Sequence, residues 1–119
     1  MSVCSGWIVD GLTINGTCSG TNGGPVFTLD AGEKLTTIEG THKRFENTNC
    51  IGRIKLTTST GRIYGPFGHN GNPATSPNEN QAFSPFRFHK ENGISEIHTK
   101  GLIQSYQRHD ILVDILSVQ

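Results

Sequence analysis

Ile51-Gly52-Arg53-Ile54-Lys55-Leu56-Thr57-Thr58-Ser59-Thr60-Gly61-Arg62-Ile63-Tyr64-Gly65-Pro66-Phe67-Gly68 is the stretch on which the fold turns. Its first half alternates. Ile54 and Leu56 fall on one face of an extended chain and Arg53 and Lys55 on the other, the pattern of a strand with one face in a core and one in water. Thr58-Ser59-Thr60-Gly61 gathers turn-forming residues and ends in glycine, so the chain is expected to reverse there into Arg62-Ile63-Tyr64. A β-hairpin is the prediction. Gly65-Pro66-Phe67-Gly68 has neither the lysine nor the following helix of a phosphate-binding loop, and reads as turn structure.

The same grammar extends in both directions. Trp7 to Ile14 reads as a strand ending in the turn Asn15-Gly16, and Val26-Phe27-Thr28-Leu29 as a short strand. In Lys34 to Glu39, Leu35 and Thr37 share one face and Thr36 and Ile38 the other, a mixed register that implies a bulge or burial on both sides. Residues 65 to 82 concentrate Pro, Gly and Asn and form a long polar loop within the domain. Phe86 to Lys90 is a strand, Glu91-Asn92-Gly93 a turn, and Ile94 to Thr99 another strand. Ile111 to Val118 is apolar at successive positions, as in a strand covered on both faces. A helix over residues 101 to 116 is the rival reading, weakened by β-branched residues and the lack of a cap. Roughly eight to ten short strands punctuated by turns define an all-β sandwich, barrel or prism, and the pattern does not choose among them.

The totals narrow the function. With 119 residues the chain makes one domain, residues 1–119, large enough for its own core. The net charge is zero, which gives no basic excess for nucleic acid or an anionic membrane surface. No apolar run approaches the ~20 residues of a membrane span. Met1 to Gly6 has no basic and apolar leader pattern, so no secretory signal is expected here, and the compartment stays open between cytoplasm and secretion after processing. The three cysteines Cys4, Cys18 and Cys50 make a poor disulfide framework, and three thiols are expected, with a Cys4–Cys18 bridge as the alternative. Asn15-Gly16-Thr17 is a glycosylation sequon. The five histidines, His42, His69, His89, His98 and His109, have no metal-ligand spacing, and no nucleophile elbow appears. No cofactor, no metal and no enzyme activity are expected.

Two stretches carry a family resemblance. Phe27-Thr28-Leu29-Asp30-Ala31-Gly32-Glu33-Lys34-Leu35-Thr36-Thr37-Ile38-Glu39-Gly40 resembles the F-x-L-x-x-G-E-x-I-x-x-I-x-G signature of jacalin-related lectins. Ile54 to Gly68 is similar to that family's hairpin, L-x-F-x-T-N-x-x-x-Y-G-P-F-G. Trp7 to Ile14 with Asn22-Gly23-Gly24 looks like the preceding strand and its glycine-rich connection, and Leu112 to Val118 resembles the closing L-D-A-I-G-V strand. The resemblance implies a β-prism of three Greek-key sheets and binding of mannose- or galactose-type glycans or glycoproteins, without metal or catalysis. It implies a G-x-x-x-D loop before the last strand whose aspartate accepts hydrogen bonds from two sugar hydroxyls.

This sequence departs from that pattern twice. The family's domain begins with about two more strands and a glycine-rich first loop, so the first sheet needs strands from elsewhere, and exposed edges favour strand exchange and a homo-oligomer. The G-x-x-x-D motif is also altered: with Asp114 as its aspartate, Asp110 replaces the glycine and Leu112 stands where an aromatic is common.

The candidate sugar-binding residues follow from these matches, each with a structural alternative. Asp114 is the acceptor, or else a local cap at a sheet end. Tyr106, Arg108, His109 and Asp110 mix an aromatic with planar polar groups suited to a pyranose, or else form a solvated insertion. Thr48 and Asn49 align with sugar-contacting positions, or else make an ordinary polar turn. Gly23 lines a second loop, or else serves turn chemistry only. A β-prism that has lost sugar binding and works by structural or protein contacts is the alternative function.

Overall fold

The computed structural model describes residues 1–5, 9–14, 26–45, 48–68, 85–104 and 110–119. Ten strands form among them: β1 (Ser2–Ser5), β2 (Val9–Thr13), β3 (Leu35–Phe45), β4 (Thr48–Thr58), β5 (Ile63–Phe67), β6 (Pro85–His89), β7 (Ile97–Thr99), β8 (Leu102–Gln104), β9 (Asp110–Leu112) and β10 (Ile115–Val118). No helix occurs among the described residues. The rival helix over 101 to 116 is therefore excluded where described: its two ends are strands.

The central sheet has the order β5-β4-β3-β6. Three strands follow one another as antiparallel hairpins and the fourth returns beside the first, which is Greek-key connectivity. The opening stretch supplies β4 and β5, with Leu56 opposite Tyr64 and Thr57 opposite Ile63. Ile54 and Leu56 are fully buried and Arg53 is exposed, as alternation requires. The mixed register at 35 to 38 is a bulge between Leu35 and Thr37, and all four residues from Leu35 to Ile38 are buried. Gly40 marks the closest approach of β3 to β4. A Cβ there would sit 1.9 Å from the Arg53 carbonyl oxygen, so no larger residue fits without pulling the pair apart.

The other strands pair in twos: β1 with β2, β7 with β10, and β8 with β9. The last two pairs are halves of one bent hairpin. Ile97 to Thr99 lie opposite Val118 to Ile115, and Leu102 to Gln104 opposite Leu112 to Asp110. The predicted single strand Ile111–Val118 is thus broken at Val113 and Asp114. Both faces of its first part are covered, because Leu112 joins the main core while Ile111 packs with buried Cys50. Two other elements are shorter than the sequence implied. Val26 makes only an isolated bridge to Ser2, while Phe27 exchanges hydrogen bonds with Met1. Ile94 donates to the Leu35 carbonyl, and β7 starts only at Ile97. The expectation of three thiols is corrected: Cys4 is disulfide-bonded and Cys50 is a buried thiol. Cys18 lies outside the described residues, as do Trp7, Ile8, Asn15, Asn22, Gly23 and Gly24.

Glu33 joins the two signature stretches. Its side chain is wholly buried. Oε2 accepts from the hydroxyls of Thr58 (2.7 Å) and Thr60, and Oε1 from the Asp30 amide (2.9 Å) and Arg62 (3.1 Å). The Asp30–Glu33 turn is thereby fastened to the β4–β5 turn, where Lys34 and Ser59 add two further hydrogen bonds. Beside it Phe27 packs on Tyr64 and Phe67, with ring centroids 4.3 and 5.5 Å away. The Thr60 hydroxyl most of all, then the Asp30 amide, the Thr58 hydroxyl and the Arg62 charge, outweigh burial and lower the Glu33 pKa from 4.5 to about 2.

A lowered folded-state pKa means that the Glu33 contribution is complete above about 4.5 and is lost as pH falls toward 2. Wild-type melting temperature should fall across that window more steeply than that of Glu33→Gln, which is already weakened at neutral pH. Parallel melting curves for the two proteins would refute this. Gly40→Ala should destabilise by about 3 kcal/mol, the upper end for overpacking, in urea unfolding.

Candidate functional site

The bend of the C-terminal hairpin brings together the groups with the clearest ligand chemistry. Lys100 donates its amide to both the Val113 and Asp114 carbonyls (3.2 and 3.3 Å), and Val113 donates to the Gly101 carbonyl (3.0 Å). Gly101 takes φ +98° and Asp114 φ +54°. Asp114 is the one non-glycine residue at positive φ among the described residues. Aspartate tolerates this region better than most residues, yet the conformation still costs free energy that the surrounding ladder must hold.

The bend carries the Asp114 carboxylate across to β3, where its Oδ1 lies 2.8 Å from His42 Nε2. An ionised carboxylate only accepts, so Nε2 carries the proton and donates. His42 follows a second register shift in the β3–β4 pair, where Gly52 of β4 is the extra residue, and its ring packs against Phe86 at a centroid distance of 4.9 Å. Such a bulge bends the pair and increases its local twist, which turns the end of β3 that carries His42. Both side chains of the pair are about 30% exposed, so the carboxylate keeps an open flank. Its charge, an imidazole and an aromatic ring share this end of the molecule. The set offers acceptors to hydroxyl-rich ligands, the carboxylate oxygens and, with Nε2 protonated, the other ring nitrogen of His42.

Asn49 is exposed and lies opposite Arg44 in the β3–β4 ladder, two residues beyond the His42–Ile51 pair, or roughly 7 Å along the strand. Thr48 opens β4 opposite Phe45. The β3–β4 arm bearing these two residues is thus the arm that His42 ties to Asp114. Asp110 begins β9 opposite Gln104, so its backbone belongs to a ladder rather than to an open loop. Tyr106, Arg108, His109 and Gly23 lie outside the described residues. His42 is the residue of this candidate site that sequence reasoning missed. The sequence offers it only as a possible metal ligand, and its partner lies 72 positions away. Among the described residues, no group of three or more His, Cys, Asp or Glu is arranged to hold a metal.

A family model described as the jacalin-like lectin domain matches residues 5–103. No curated protein sequence matches the chain. Among solved structures, a Malaysian banana lectin is 23% identical with a TM-score of 0.54, over 98% of this chain and 80% of that one. A mannose-binding lectin from champedak is 14% identical with a TM-score of 0.54, over 97% of this chain and 79% of that one. At such identities the structural likeness speaks to the fold.

The positive φ at Asp114 makes a stability prediction that does not depend on a ligand. Asp114→Gly and Asp114→Ala both lose the His42 hydrogen bond, but only alanine keeps a Cβ in the left-handed region. Urea unfolding should find the glycine variant more stable than the alanine variant by about 1 kcal/mol. Equal stabilities, or the reverse order, would mean that the bend is not held as described.

Proposed function

The chain belongs to the jacalin-like lectin family, and from that premise we propose a non-catalytic glycan-binding module whose site is the hairpin bend, with the Asp114 carboxylate as its principal acceptor. The observation that carries this reading is the half-open Asp114 side chain, held at positive φ where two hydrogen-bonded arms converge. A carboxylate accepts from adjacent sugar hydroxyls with the stronger, charge-assisted kind of hydrogen bond. Asn49 and Thr48 on the neighbouring arm, together with Tyr106, Arg108, His109 and Asp110 before the last strands and Gly23, complete the proposed set. The ligands are mannose- or galactose-type glycans and glycoproteins.

A single open site of this kind binds weakly, so useful avidity comes from several modules acting together. Exposed Val26, Ile63, Leu102 and Leu116 give apolar area for a homo-oligomer. Neither nucleic acid nor insertion into a membrane belongs to this reading, given the neutral net charge.

One observation favours a second reading. Oδ1 of Asp114 already has the His42 donor, so the carboxylate also serves as a tie between sheets. A prism without sugar binding, acting through structural or protein contacts, would keep that tie for stability alone.

Calorimetric titration with mannose, glucose and galactose separates the two readings, with Asp114→Asn measured beside wild type. Asparagine tolerates the positive φ and removes only the charge. Saturable binding by wild type, weakened at least ten-fold in the variant, is expected. A folded wild type that binds none of the three sugars would favour the structural reading.

A further inference from the structure

We propose a second ligand site on the outer face of the β5-β4-β3-β6 sheet, for a saccharide bearing a carboxylate or sulfate group. The face carries a cleft of about 500 Å³, lined by Glu39, Arg53, Lys55, Arg87, Pro66 and Pro85 among others. That volume lies within the range of small-ligand sites, which is about 300–1,000 Å³.

The ladder register sets the cleft's charge. Lys55, Glu39 and Arg87 form one rank across β4, β3 and β6, and Arg53, Thr41 and Pro85 form the next. Three cations therefore share one carboxylate. Glu39 holds Lys55 at 3.1 Å but Arg87 only at 3.9 Å, and Arg87 and Arg53 are both exposed. The chain as a whole has no net charge, so the cationic excess here is a local feature.

The two arginines stand on the strands flanking β3, roughly 10 Å apart across the sheet and roughly 7 Å apart along it. Their planar forks reach inward over that gap and pair bidentately with carboxylate or sulfate oxygens. Pro66 and Pro85 give the rim apolar surface on which the C–H face of a pyranose rests. A point-like anion would use the charges and not this surface. The family membership enters only in the choice of a saccharide as the carrier of the anion. The site is separate from Asp114, so either one stands without the other.

The test titrates the whole chain at low salt with trigalacturonic acid, a sulfated chondroitin disaccharide, inorganic sulfate, neutral maltotriose and a short DNA duplex. At least one acidic saccharide should bind ten-fold or more tighter than inorganic sulfate and maltotriose, and tighter than the duplex. Preference between the uronate and the sulfate ester identifies the anionic group. Arg53→Gln combined with Arg87→Gln should cost at least ten-fold and reduce the salt dependence, while mannose and galactose titrations stay as in wild type. In wild type alone, the arginine Nε–H resonances of Arg53 and Arg87 should shift on binding. Acidic saccharides no tighter than inorganic sulfate, a duplex that binds best, or shifts confined to other residues would overturn the proposal.

Discussion

A single carboxylate organises the half of the fold that is easiest to recognise. Glu33 is buried, yet both its oxygens accept hydrogen bonds from the two turns it joins. An unpaired charge in that position would be costly, so the donors and the acid depend on one another. Their union fixes where Leu35 enters β3 and where β4 turns into β5. From there the sheet register follows, through the close contact at Gly40 and out to β6. The recurring Gly-Glu pair in the signature thus has a physical reason: the glycine turns the chain at positive φ, and the acid captures the neighbouring hairpin.

The parts of this structure that were legible in the sequence are those governed by short-range periodicity. Ile54 and Leu56 against Arg53 and Lys55 announced a half-buried strand because side chains in a strand alternate, whatever lies beyond it. The mixed register of Leu35 to Ile38 pointed, for the same reason, to a bulge or to burial on both sides, and both are present. The break at Val113 and Asp114 was hidden, because an apolar run reads as continuous and aspartate enters the left-handed region without announcing it. The Cys4 bridge was obscured by an odd cysteine count.

The candidate site was legible only in part. Asp114 came from a motif match, and its surroundings from register. His42 gave no signal of its own, since the bulge beside it lies at Gly52 of β4 and its partner sits in the distant break between β9 and β10. Long-range pairings of this type are set by topology, which periodicity does not encode. The bulge in the β3–β4 pair and the break in the C-terminal hairpin lie where His42 of β3 meets Asp114. Irregularities in an otherwise regular sheet are where such convergence occurs.

β3 runs from Leu35 to Phe45, and His42 lies three positions after Glu39. Along a strand that is roughly 10 Å. One strand therefore borders both the charged cleft and the hairpin bend, at a separation that backbone geometry holds constant. Occupants of the two places would not collide, nor would a single small sugar bridge them. With both proposed sites occupied, a lone chain would join two different sugar chains rather than grip one more firmly.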